Sequence, residues 1–330
     1  MTAPEGQEET AQTFQGEPPR VSVVVPSYNH AQFIESTLRS IIKQERPPEE
    51  LLVIDDGSRD ESPQIIERVL NECPFSCEFV VRSNRGLCAT LNEGLQRASG
   101  EYFAYLGSDD LWLPEFLNAR VGLLESRRDA VLAYGHAFLI DEESHINDST
   151  SHWASYVDGD VRAMLLQTTA PMSPTVLYRR ETLEQVGWNE ESGLEDYDLY
   201  LRLSEVGPFA FDPQILSAWR QHGANASRNQ AFMLDEQLRA QREAALRFGF
   251  TIEQVEDLQR TTRFSRAEDF LRVGQKLHAL GLMLHNLRGA NSPRATTRML
   301  LRLLVPDSFM RRRARRRQLK TYERYGAIEI

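Results

Sequence analysis

Apolar residues in the first half of the chain alternate between short unbroken runs and helical spacing. Val21-Ser-Val-Val-Val25 is a β-branched run that predicts a buried strand, and the polar Pro26-Ser-Tyr-Asn-His30 reads as a loop. Phe33, Ile34, Leu38, Ile41 and Ile42 then recur on one helical face. Leu51-Leu-Val-Ile-Asp55 predicts a second strand, ending in the turn Asp56-Gly57-Ser58. Ser62 before Pro63 marks a helix start, with Ser62 as the capping residue. Residues 78–82 predict a third strand, 87–98 a helix, 101–106 a fourth strand, and 114–124 a further helix. Strands alternating with helices predict an α/β fold: a parallel-cored sheet with helices on both faces.

After Ala130 the pattern loosens. Residues 130–140 predict a strand, 141–170 a long irregular polar insertion, and 176–178 another short strand. Residues 196–206 have helical spacing, and 209–211 and 215–219 read as two short strands. From about Phe232 the pattern is helical almost to the end. The expected organisation is an acidic leader without order over 1–19, a sheet domain over 20–225, and a helical C-terminal region with a basic tail over 226–330.

Composition is that of an ordinary globular protein, 41% hydrophobic and 26% charged. No apolar run reaches the ~18 residues that span a bilayer, and the polar N-terminus lacks the apolar centre of a secretory signal. Cys73, Cys77 and Cys88 form no disulfide framework or zinc-ligand spacing, so they read as free thiols of a reducing, cytoplasmic compartment. The net charge of −10 is uneven: residues 294–330 hold eleven Lys or Arg against three Asp or Glu, a net of +8, leaving −18 on the rest. A tail of that sign is expected to meet something anionic.

The chemistry concentrates in acidic groups at predicted strand ends. Asp109 and Asp110 follow the fourth strand after only Gly107 and Ser108, at the rim where open α/β sheets bind ligands. Adjacent carboxylates there repel, and a divalent cation carrying a phosphorylated ligand would relieve them; a surface turn is the alternative. Tyr28, with Pro26, offers a flat nucleotide base an aromatic ring, or simply packs locally. Asp56 can accept a ring N–H or shape the turn before Gly57; for Asp55 the turn role is preferred. Asn84-Arg85-Gly86 precedes a helix, whose N-terminal N–H groups favour anions. Asp196 opens a predicted helix, where a carboxylate serves either as a cap or as a base. No Gly-x-Gly-x-x-Gly follows the first strand, which argues against a dinucleotide dehydrogenase.

Together, Val21-Ser-Val-Val-Val-Pro-Ser-Tyr-Asn29, Leu52-Val-Ile-Asp-Asp-Gly-Ser58, Asn84-Arg-Gly86 with Gly100-Glu-Tyr-Phe-Ala-Tyr-Leu-Gly-Ser-Asp-Asp110, and Gly193-Leu-Glu-Asp-Tyr-Asp-Leu-Tyr-Leu-Arg-Leu203 resemble glycosyltransferase family 2 over about residues 20–225. This family comprises inverting nucleotide-sugar transferases with the GT-A fold. The resemblance implies a metal-dependent hexosyl transfer from a nucleoside diphosphate sugar, UDP-linked by preference, to a hydroxyl on a glycan, lipid-linked or protein acceptor, as in building cell-envelope polysaccharide. It implies that Pro26, Tyr28, Asp56, Asn84, Arg85, Gly86 and Asp109 contact the donor nucleotide and that Asp110 holds Mn²⁺ or Mg²⁺. It also implies Asp196 as general base, with Glu195 as its neighbour. Ser108 stands where the usual Asp-x-Asp motif begins, which leaves the division of labour between the two aspartates open. Trp219-Arg-Gln-His222, with Asn225 and Ser227, resembles a downstream Arg-x-His element, so Arg220 is expected at the pyrophosphate and His222 in the metal shell. No other histidine shows a partner pattern.

Two other classes remain open: a non-catalytic nucleotide-sugar-binding or scaffold protein on the same fold, and a nucleotidyltransferase. Acceptor choice is expected in the 141–170 insertion and the C-terminal helices, where Trp153 and His152 either meet a sugar or pack. In the tail, six arginines in the seven positions 311–317 follow the apolar stretch 299–305. Peripheral contact of residues 299–320 with the inner face of an anionic membrane is preferred over a contact with the acidic body or a solvated helix. Nucleic acid is not expected, because stacking aromatics are sparse there.

Overall fold

The computed structural model describes residues 20–223, 229–290 and 292–330. The acidic leader, Asn225 and Ser227 lie outside the described residues.

Four parallel strands form the first half of the sheet: β1 (Val21–Ser27), β2 (Glu50–Asp55), β3 (Ser76–Val81) and β4 (Tyr102–Tyr105), in the order β3-β2-β1-β4. The unbroken apolar runs of β1 and β2 are buried on both faces, because successive side chains point to opposite sides. Val23, Val25, Leu51 and Val53 enter one core with the helices α1 (Ile34–Ile42), α2 (Ser62–Leu70) and α4 (Phe116–Ser126). Val24, Leu52 and Ile54 enter the other, with α3 (Leu87–Arg97), α5 (Arg162–Leu166) and α7 (Glu195–Val206). Gly94 on α3 lets that helix close onto β1, since a Cβ there would lie 2.7 Å from a Val24 methyl.

The sheet continues through β8 (Leu177–Arg179), β6 (Leu132–Ile140), β9 (Phe209–Arg220) and β5 (Leu111–Trp112), with β7 (Ile146–Ser149) beside β6. This half is mixed: β8 runs antiparallel to β4 and β6, whereas β6 and β9 are parallel. Three sequence expectations change here. The two short strands expected over 209–219 are one strand, whose register shift after the Gly135–Asp212 pair absorbs Pro213-Gln214 as a bulge. The buried Arg120 guanidinium pins that bulge, donating to Asp212 at 2.5 Å. The 141–170 insertion is not wholly irregular, since it holds β7 and α5. Pro26, expected in a loop, lies within β1, which ends one residue later at Ser27.

The short α6 (Arg180–Val186) leads from β8 toward α7. Beyond the sheet, α8 (Gln230–Arg247), α9 (Ile252–Arg272), α10 (Lys276–His285), α11 (Pro293–Leu304) and α12 (Asp307–Tyr325) follow. They build their own core around Phe264, Phe270, Leu271 and Met283. The helical region is nevertheless not detached. Ala240, Ala244 and Val255 pack into the α7 side of the sheet core, and Ile328 joins β5, β6 and β7. Cys73, Cys77 and Cys88 are free thiols. No described helix is long and apolar enough to cross a membrane.

Candidate active site

The site forms where β1, β2 and β4 end together. Their C-terminal loops are stitched to one another by side chains that chain order keeps far apart. Ser58 Oγ accepts the Asn29 N–H at 2.8 Å, Ser62 Oγ accepts the His30 N–H at 3.0 Å, and Asp60 accepts the Ala31 N–H at 3.0 Å. Ser62 is therefore the first residue of α2 and ties the β1 loop, while Glu61 takes the cap position. Asn29 sits at φ 54°, and its side chain accepts the Arg59 N–H at 2.8 Å. Asp55 is wholly buried and closes its own turn, accepting from the Ser58 N–H and hydroxyl at 2.8 and 2.6 Å.

These loops wall a cleft of about 390 Å³ lined by Pro26, Tyr28, Asp56, Asn84, Gly86, Asp109, Asp110 and His222, among others. Segments separated by almost two hundred residues thus face one space. Asp56 is buried and accepts the Arg85 and Gly86 backbone N–H groups, each at 2.8 Å, and the Arg82 guanidinium. Three donors on a carboxylate with about four acceptor sites leave one for a ligand. Arg85 contributes its backbone here; its side chain is exposed beside Glu93 and does not line the cleft.

Asp109 and Asp110 separate in environment. Asp109 accepts from or ion-pairs with His222 Nε2 at 2.9 Å and lies 4.0 Å from His30 Nδ1. His30, Asp109 and His222 have ligand atoms within 4.8 Å of one another, close enough that the group could hold a metal ion. Burial holds the His30 imidazole below its ordinary pKa, favouring the neutral ring that a metal requires. Asp110 is not in that group. It is buried, its Oδ1 accepts the Arg220 backbone N–H at 2.8 Å, and burial followed by the Asp109 charge holds its carboxyl well above the usual range. Of the two aspartates, Asp109 presents its carboxylate to the histidines.

Arg220 takes a different position from the one expected at a pyrophosphate. Its guanidinium is buried and donates to the carbonyls of Asp109, Asp141 and Glu142 at 2.7, 2.8 and 3.1 Å, and to Ser144 Oγ at 3.0 Å. It also lies 5.0 Å over the Phe33 ring. Four oxygen partners hold it as a brace for the aspartate loop, away from the cleft. His152 pairs with Asp148 at 2.7 Å. Trp153 is more than half exposed, at 54%.

Asp196 stands second in α7, whose cap position belongs to Leu194 without a side-chain hydrogen bond. Its Oδ1 accepts the hydroxyl of Tyr105, a residue of the cleft wall. Burial, then the charge of Glu195, pushes the Asp196 carboxyl up to about 8. Burial also raises the Tyr105 hydroxyl well above its ordinary value, so it stays a donor. Glu195 and Ser173 line the cleft beside it. Sequence reasoning missed His30, Tyr105, Ser173 and Arg82. An Asn-His pair at the end of the first strand was the one available signal for His30, and Tyr105 is masked as an ordinary strand aromatic.

Strand order β3-β2-β1-β4, helices on both faces, and acidic loops gathered at the strand ends define a nucleotide-binding sheet of the GT-A type. The profile described as "Glycosyl transferase family 2" matches residues 22–187, and the chain belongs to that family. An uncharacterized glycosyltransferase of Nostoc sp. (strain PCC 7120) is 29% identical over 171 residues, which cover 51% of this chain and 53% of that protein. The chain therefore spans about half of that relative's length. Among solved structures, a mannosyltransferase of Pyrobaculum calidifontis in complex with GDP-Man and Mn²⁺ aligns with TM-score 0.58 at 18% identity, covering 93% of this chain and 86% of that one. S. aureus TarS in complex with UDP-GlcNAc aligns with TM-score 0.57 at 17% identity, covering 92% and 89%. At such identities the likeness is one of fold.

Proposed function

We propose that the chain transfers a hexosyl group, with inversion, from a nucleoside diphosphate sugar to an acceptor hydroxyl. The observation that carries this reading is the single cleft joining Asp56, Asp109, His222 and Tyr105, with Asp196 held just behind its wall by the Tyr105 hydroxyl. The nucleotide base lies against Tyr28 and Pro26, with the remaining acceptor site of Asp56 for a ring N–H. Asn84 and the N-terminus of α3 at Gly86 sit where the sugar-phosphate portion passes. The two solved neighbours carry different bases, one GDP and one UDP. A uridine donor is our preference, and the screen below decides it.

Asp109, His222 and His30 fit a divalent ion, one carboxylate and two imidazoles being a donor set better suited to Mn²⁺ than to Mg²⁺. When bound there, such an ion supplies charge neutralisation for the departing diphosphate. Asp110, fixed by Arg220, keeps a second carboxyl behind Asp109 and shapes the loop that presents it.

Asp196 takes the proton of the acceptor hydroxyl as its oxygen bonds to the anomeric carbon and the bond to the diphosphate oxygen breaks on the opposite face. Tyr105 orients the carboxylate by its hydroxyl, and the raised pKa makes it a competent base near neutral pH. A thermal-shift screen of nucleoside diphosphates and their sugars, with and without Mn²⁺, tests the reading. Stabilisation by one base, strengthened by Mn²⁺, followed by transfer or donor hydrolysis, is expected. Binding without either reaction would make the chain a nucleotide-sugar-binding protein; pyrophosphate release from a nucleoside triphosphate would make it a nucleotidyltransferase.

The tail supports peripheral attachment to an anionic bilayer at the inner membrane face. Arg312, Arg313, Arg315, Arg316, Lys320 and Arg324 are exposed along α12. Leu300, Leu301 and Leu304 of α11 and Phe309 of α12 are exposed at 44, 58, 80 and 59%. Cations beside exposed apolar side chains complement a lipid surface of negative charge.

A further inference from the structure

A second cavity, about 790 Å³, lies between the sheet and helices α8 and α9. It is larger than the donor cleft and joins it. Trp219 and His222 line both spaces. Neighbouring residues divide between them: Met172 and Leu194 face the larger cavity, Ser173 and Glu195 the smaller. Asp196, next in the chain after Glu195, lines neither space and is held by Tyr105 of the cleft wall. A molecule filling the larger cavity meets the cleft at Trp219 and His222.

The wall has a distinctive chemistry. Trp153 and Trp219 provide two indole surfaces, and Gln221, Gln230, Gln237 and Gln275 provide four amides. Amides both donate and accept, as paired sugar hydroxyls require, and aromatic faces suit the apolar faces of pyranose rings. An alkyl chain would bury those amides against carbon, at a cost for each one left unmatched. The charge is equally informative. Among the described residues Arg266 is the sole Lys or Arg of the lining, and its guanidinium is committed to Asp269 at 2.9 Å and to Gln237 at 2.8 Å. His222 is held by Asp109. Glu142 adds an exposed carboxylate to the wall. A uronate or phosphate in this space would meet negative charge and, among the described residues, no uncommitted cation.

We propose that this cavity is the acceptor site and that it takes an uncharged oligosaccharide, stacked on Trp153 and Trp219 and hydrogen-bonded by the glutamines. The inference rests on reading the adjoining cleft as the donor site. It gives the C-terminal helices a purpose: α8 and α9 close the acceptor side of a sheet that binds the donor.

The test is a titration of the whole chain followed by tryptophan fluorescence and calorimetry. The neutral probes are malto-, cello-, chito- and mannotetraose; the anionic probes are tetragalacturonate and a glycerol phosphate tetramer. Saturable binding of at least one neutral probe is expected, tighter than either anionic probe. Trp153→Ala should weaken it about tenfold and Trp153→Phe should restore most of it. Because Trp153 is exposed, both variants should keep the wild-type melting temperature. Glu142→Lys should improve binding of the anionic probes. Tighter binding of an anionic probe, no binding of any neutral probe, or unchanged affinity in Trp153→Ala would overturn the proposal. UDP and GDP titrated in parallel with Mn²⁺ keep the two readings apart: their failure to bind would remove the donor assignment, while the saccharide series would still decide the cavity.

Discussion

Asp196→Asn separates the catalytic reading from a structural one, because the two forecast opposite changes. The side chain keeps its size and its contact with Tyr105 but can neither ionise nor take a proton. General-base contributions are about 10²–10⁴-fold, so transfer should fall by that factor while donor affinity stays near wild type. Stability should move the other way. The Asp196 carboxyl is pushed from an ordinary 3.8 to about 8 in the fold. Between those values the folded chain holds a proton that the unfolded chain has lost, so each rise in pH favours unfolding. Each pH unit costs about 1.4 kcal/mol, which places an upper bound of ~4 kcal/mol on the penalty at pH 7. The asparagine variant avoids that penalty. Its melting temperature should match the wild type near pH 4 and exceed it increasingly toward pH 8, where the difference levels off. The wild-type rate should climb with pH through about 8 as Asp196 ionises, and the residual rate of the variant should lack that limb. Scanning calorimetry and single-turnover transfer across this range provide the assay. A variant that transfers sugar normally would end the base assignment. One that is destabilised, with no pH-dependent gain, would show the carboxylate to be a stabilising part of the helix start.

Three further outcomes are expected. Asp109→Asn should abolish the extra thermal stabilisation that Mn²⁺ adds to a bound nucleoside diphosphate, a quantity of about 2.7 kcal/mol at a hundredfold excess over Kd; an unchanged Mn²⁺ response would place the ion elsewhere. Asp56→Ala removes one of the two carboxylates that pair with the half-buried Arg82, which keeps Glu93 at 3.1 Å, and takes the acceptor from two backbone N–H groups. Because Arg82 keeps Glu93, the cost is that of the orphaned N–H groups, about 1–3 kcal/mol, read by urea unfolding, and a loss well below this would mean that water replaces the carboxylate. Replacing Arg312, Arg313, Arg315 and Arg316 by glutamine should weaken binding to phosphatidylglycerol vesicles on the order of 10³-fold, at about 1 kcal/mol per charge. Equal co-sedimentation of variant and parent with those vesicles would rule out the tail as the contact.

Much of the donor half was legible because its physics is local. An unbroken apolar run such as Leu51–Ile54 has no polar face to turn to water, so it must be a strand covered on both sides. A carboxylate placed just beyond it must then fall at the sheet rim. Order along the chain therefore places Tyr28, Asp56, Asn84 and Asp109 near one another. The sequence is silent where a residue's role depends on what faces it. Arg220 carries the same charge whether it meets a phosphate or three backbone carbonyls, and only packing of the 141–144 turn against β9 decides for the carbonyls. Asp212-Pro213-Gln214 breaks the strand pattern, yet Arg120 from α4 holds the break as a bulge within one strand.

The sequence by itself determined the alternation of strand and helix, the family, and the set of acidic loops, since each follows from the period or composition of a continuous segment. Tertiary structure alone decided which of two adjacent aspartates meets the histidines, that His30 joins them, that Tyr105 holds Asp196, and that the C-terminal helices wall a second cavity. Those are distances between segments far apart in the chain, and they are fixed by the burial of the strands and helices that carry them.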